Sequence, residues 1–197
     1  RVAVPVILPE TIVTATVWTV ASAPGGAYPA DAARVNAVIA EANQILRQVA
    51  MKVTWNGTLS TTNRADWYDL VITNRTAVPG TPARQLLDCS GGTGGVELYF
   101  VNSITHMGQP ALGVNGSRGT VLSADADGHT LAHELLHQCG LKDIYNNNGA
   151  AVVAGPVAAD RMHQDDWGGG YYQPGLAQSA VIQRLLMFGV ENSEAGE

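Results

Sequence analysis

Residues 133–143 read His133-Glu134-Leu135-Leu136-His137-Gln138-Cys139-Gly140-Leu141-Lys142-Asp143. His133 and His137 are four apart, so on a helix they share one face, a turn from each other. Two imidazoles so spaced can hold one zinc ion through metal–nitrogen bonds of about 2.0–2.1 Å. Glu134 follows the first histidine and stands beside such an ion without ligating it. That is the place from which a general base takes a proton from zinc-bound water. Gly140 ends the helix, and Asp143, three residues on, is a candidate third ligand.

A helix with two histidines and a glutamate can also be a solvated face. Leu131, Ala132, Leu135, Leu136 and Cys139 argue otherwise, because they make nearly every other position apolar and predict a buried helix. Buried His and Glu need partners, and a metal supplies them. A downstream Glu as third ligand is closed off, since no Glu occurs between Glu134 and Glu191. His129 lies eight residues before His137, about 12 Å along a helix axis, too far to share one ion with it and His133. It is expected at the helix N-terminus, near the surface. His106 and His163 read as structural, with His163 the substitute should Asp143 not ligate. Cys139 is turned about 200° from His137 and is not expected to bind. Asp125, Asp127, Asp160, Asp165 and Asp166 form no recognisable calcium-loop spacing, so calcium is without support.

The chain has 197 residues, 46% hydrophobic and 14% charged, which describes a globular domain with a sizeable core. A net charge of −6 argues against a nucleic-acid binder, which needs a basic face. No apolar run approaches the roughly 18 residues of a membrane helix. Arg1 is not an initiator Met and no charged-then-apolar leader is visible, so a processed or trimmed chain is expected. Cys89 and Cys139 are the two cysteines. A disulfide between them, preferred over two buried thiols, fits an oxidising compartment. Abundant small residues, Thr, Asn and Gly agree with a secreted protein.

Periodicity orders the elements. Ile12–Val20 reads as a strand, and Asp31–Val49 as a helix with Val35, Val38, Ile39, Ala42, Ile45, Leu46 and Val49 inward. Met51–Trp55 predicts a short strand, Asp69–Thr73 a buried strand, and Val78–Gly95 a loop. Val96–Asn102 is a strand, and Gly113–Ser123 another, with turns at Asn115-Gly116 and Arg118-Gly119. The histidine helix spans Gly128–Cys139, capped by Asp125 or Asp127. An irregular stretch over 144–170 precedes a last helix, Pro174–Phe188. There is no repeat and no linker, so residues 1–197 form a single α/β (α+β) domain. A mixed sheet with two helices makes an upper lobe of about residues 1–140. A lower lobe of about 141–197 is irregular and ends in the last helix, with the metal in the cleft between.

His133-Glu134-x-x-His137-x-x-Gly140-x-x-Asp143 resembles the zinc-binding consensus of the metzincin clan of metalloendopeptidases. Asp in the last position, where most members have His, resembles the snapalysin-type branch of small secreted proteases. The resemblance covers residues 129–143, and beyond them only the order of elements. It implies a twisted, mixed five-stranded sheet and a zinc-dependent endopeptidase that acts on protein or peptide substrates. In that reading His133, His137 and Asp143 hold the zinc and Glu134 is the base. The segment Gly113–Ser123 pairs with substrate as an added strand. A Met-turn is implied too, at Met162 in preference to Met187. The Tyr that often follows it has no match at the usual distance, since Tyr171 and Tyr172 come nine and ten residues later. A secreted monomer that binds neither nucleic acid nor membrane is expected. The alternative is a zinc-binding interaction module of the same fold with weak or no turnover.

Overall fold

The computed structural model describes residues 10–47, 50–74, 78–88, 95–116 and 119–138. In chain order its elements are β1 (Thr11–Ala21), α1 (Ala32–Leu46), β2 (Met51–Asn63), α2 (Ala65–Tyr68), β3 (Asp69–Ile72) and α3 (Pro82–Leu87). They continue with β4 (Val96–Phe100), β5 (Ser103–His106), β6 (Gln109–Ala111), β7 (Gly113–Asn115), β8 (Gly119–Leu122) and α4 (Gly128–Gln138).

The β-branched run of β1 makes it an interior strand, paired on both sides with β2 and β4. Helix α1 starts where Asp31 accepts a hydrogen bond from the Arg34 N–H at 2.8 Å, an N-cap that satisfies one orphan donor of the first turn. Its inward stripe, Val35, Val38, Ile39, Ala42 and Leu46, is buried as the periodicity predicts. The chain then returns as β2, parallel to β1, so α1 is the crossover of a β-α-β unit. Asn43 fastens helix to strand: its Oδ1 accepts from the Val53 N–H at 2.7 Å and its Nδ2 donates to the Val53 carbonyl at 2.9 Å.

Five strands form a mixed sheet in the order β2-β1-β4-β8-β7. The first four run parallel, and β7 is antiparallel to β8 at one edge. One face carries Ala15, Val17, Leu98, Phe100 and Leu122 against the apolar stripes of α1 and α4. The other face carries Val20, Tyr99 and Val121 against α3 and a second, three-stranded sheet ordered β3-β5-β6. The molecule is thus mixed α/β, with four helices among the described residues, two long and two short.

Several expectations need correction. Strand β2 runs to Asn63 rather than Trp55, passing a bulge in which three of its residues oppose Thr16 alone between Ala15↔Trp55 and Val17↔Leu59. The stretch over residues 69–73 is not a buried strand of the main sheet. β3 belongs to the smaller sheet and alternates, with Leu70 and Ile72 inward and Val71 64% exposed. The expected loop Val78–Gly95 contains α3, whose start is capped by Thr81 and whose first position is Pro82. Gly113–Ser123 is two strands, not one: β7 at the edge and β8 inside. The hairpin β5–β6 turns through Met107 and Gly108, both at positive φ, as a two-residue primed turn requires.

Candidate functional site

Among the described residues, ties at both ends of α4 position the histidine motif. Asp127 caps the helix: its Oδ1 accepts from the Thr130 N–H at 2.9 Å and the Thr130 hydroxyl at 3.1 Å. Of the two expected caps, then, Asp127 is the one used. Glu41 of α1 accepts from the Gly128 N–H at 2.8 Å, a second orphan donor of the same turn. Arg34 holds the approach to the helix, donating to the Ala126 carbonyl at 2.7 Å. At the far end the Gln138 amide donates to the buried Thr120 hydroxyl of β8 at 3.0 Å. Between these ends Leu131, Ala132, Leu135 and Leu136 are buried in the core.

The helix is fixed at both ends, so its third face is aimed. His133 and Glu134 are 8% and 5% exposed, and His137 is half-buried. The imidazoles of His133 and His137 are edge to face, ring centres 4.4 Å apart, with the two Nε2 atoms 2.9 Å from each other. A tetrahedral ion about 2.0–2.1 Å from each nitrogen would set them roughly 3.3 Å apart, so an opening of a few tenths of an ångström admits it. Between facing Nε2 atoms one proton must be shared as a hydrogen bond, and a metal ion replaces that proton. The pair therefore fits two ligands of a zinc site. Glu134 lies against the edge strand, where Gly113 of β7 approaches its Cγ and Oε1. It does not join the two histidines in a group of three converging ligand atoms.

The one such group among the described residues is Glu41, Asp127 and His129, which sequence reasoning did not assemble. His129 Nδ1 lies 3.4 Å from Glu41 Oε1 and 3.4 Å from Asp127 Oδ2. His129 sits in the first turn of α4, as expected, and its neighbours engage it there rather than at the motif. Both carboxylates also accept from the helix amides through their other oxygens, so the group caps the helix. Burial pushes the Asp127 carboxyl up. The hydrogen bonds from Thr130 and the nearby His129 outweigh that and hold it below its ordinary value. No local signal links Glu41 to this cluster, because the partners are 87 residues apart in sequence.

Asp143, Met162, Met187, Cys89, Cys139, Gly140, His163, Tyr171, Tyr172, the helix Pro174–Phe188 and the lower lobe lie outside the described residues. Among the described residues no helix is long and apolar enough to cross a membrane. No family model matches the chain, and a search of curated proteins finds no match to it.

Proposed function

We propose that the chain is a zinc-dependent endopeptidase of metzincin type, secreted, monomeric and acting on protein or peptide substrates. The observation that carries this reading is the pairing of His133 and His137 through their Nε2 atoms on a helix whose next residue, Glu134, is buried and turned to the sheet's edge strand. A buried carboxylate that is not a ligand serves no purpose in a purely structural metal site. As the base of a hydrolase it does.

His133 and His137 would hold the metal with Asp143 as third ligand, and the zinc, when bound, supplies an acidified water and polarises a carbonyl. Glu134 then accepts a proton and delivers it to the leaving amine. Its low exposure keeps bulk water from competing for that proton. β7 offers its outer edge, beside Glu134, for an extended peptide to pair with the backbone. Of the two strands in Gly113–Ser123, β7 is the one at the sheet's edge among the described residues; β8 is flanked on both sides. The five-stranded mixed sheet backed by two long helices agrees with the fold that the resemblance implies.

The test is cleavage of an unfolded protein substrate by wild type and Glu134→Ala, each with and without a chelator. Cleavage by wild type alone, abolished by the chelator, supports the reading. Equal cleavage by both proteins ends it, and zinc binding with no cleavage by either leaves the non-proteolytic zinc module in its place.

A further inference from the structure

We propose that Gly113 is a positioning residue for Glu134: the absent side chain at the head of β7 makes the space in which the Glu134 carboxylate is held. Gly25, Gly57, Gly80, Gly95 and Gly108 have φ values between 76° and 108°, where the backbone itself favours glycine. Gly113 does not belong with them, since its φ lies outside that region and its backbone would accept alanine. What excludes a side chain is its neighbours. A Cβ at Gly113 would lie 2.7 Å from Glu134 Cγ, 2.7 Å from Glu134 Oε1 and 2.9 Å from Thr130 Cγ2.

Which of these parts would yield follows from how each is tied. β7 is held to β8 in register, Gly113↔Leu122 through Asn115↔Thr120, and the Leu112 carbonyl accepts from the Ser123 N–H at 2.7 Å. Helix α4 is held by Glu41 at one end and Gln138 at the other. Backbone movement on either side breaks hydrogen bonds, whereas the Glu134 side chain has three torsions that can rotate. An alanine at 113 would therefore displace the carboxylate first, since two of the three atoms nearest its Cβ belong to Glu134 and neither histidine is among them. No other glycine contact among the described residues involves a group of the proposed site; Gly116, Gly119 and Gly128 meet Leu86, Leu87, Glu41 and Ala42.

The experiment is a double-mutant cycle on the metal-free protein, with kinetics on the zinc-loaded one. Gly113→Ala is expected to lower Tm by several degrees in the wild-type background, as overpacking does, and by less than half as much in the Glu134→Ala background. Gly113→Ala should still bind one zinc per chain, with kcat reduced roughly 10²-fold and KM nearly unchanged, the mark of a displaced base rather than a lost binding surface. Should the single variant fail to fold, the Gly113→Ala/Glu134→Ala protein is expected to fold, which supports the same contact. Equal Tm losses in both backgrounds, or an unchanged kcat with zinc bound, overturn the proposal. The kinetic arm rests on the peptidase reading. If wild type cleaves nothing, that reading fails, and the Tm cycle alone still decides whether Gly113 makes room for Glu134.

Discussion

The first turn of α4 and the two turns that follow both gather imidazole and carboxylate, and they differ in what the carboxylates are doing. In the first turn Asp127 and Glu41 spend one oxygen each on the helix amides and turn the other toward His129. Those groups are half exposed and complete a cap. Further along, Glu134 is buried against a glycine of the edge strand, and two imidazole nitrogens face each other at 2.9 Å. The lesson is that proximity of His and Glu does not identify a metal centre. The helix N-terminus attracts carboxylates through its own unsatisfied N–H groups and its partial positive charge, which also disfavours a cation there.

The contrast can be broken by substitution. The largest effect is expected at Glu134. Glu134→Gln should keep the zinc and lose about 10²–10⁴-fold in kcat, read from steady-state cleavage of a protein substrate. His133→Ala and His137→Ala should each abolish stoichiometric zinc binding, measured by metal analysis after dialysis; a variant that keeps its zinc would remove that histidine from the site. Asp127→Ala should keep zinc and activity and cost about 1 kcal/mol of stability in denaturant unfolding, the usual worth of an N-cap.

The same cap has a pH signature. Asp127 is held below its ordinary value in the folded chain. Its stabilisation is therefore present above the unfolded carboxyl pKa of about 3.9 and is lost as pH falls through the lower folded value. The stability gap between wild type and Asp127→Ala should narrow below about pH 4, and a gap that widens there would contradict the capping role. The smallest effect is expected at His129→Ala, within about 0.5 kcal/mol, because a half-exposed imidazole at 3.4 Å from its carboxylates contributes little.

Helix α1 and the motif helix were legible because their apolar residues recur at the helical period and their starts carry Asp caps. β1 and β4 were legible from β-branched and aromatic runs. β2 outruns the expected Met51–Trp55 because the chain passes Asn56-Gly57 as a bulge and stays paired with β1 beyond it, with Gly57 at φ 79° and Asn56 accepting from the Thr58 N–H. The split of Gly113–Ser123 into an edge and an inner strand was not legible. A hairpin and a single bent strand share the same turn residues, and only pairing with β4 decides between them. Of the site, His133, Glu134 and His137 come from local spacing. Glu41 and Gly113 meet α4 across long stretches of chain, and local pattern holds nothing about such contacts.

The most direct measurement is zinc bound per chain, by equilibrium dialysis and metal analysis, for wild type, the His133→Ala/His137→Ala double variant and a Glu41→Gln/His129→Ala double variant. The account predicts one zinc in wild type, one in the Glu41→Gln/His129→Ala protein, and none in the protein lacking the histidine pair. Zinc retained without His133 and His137 but lost without Glu41 and His129 would place the metal at the helix cap and contradict it.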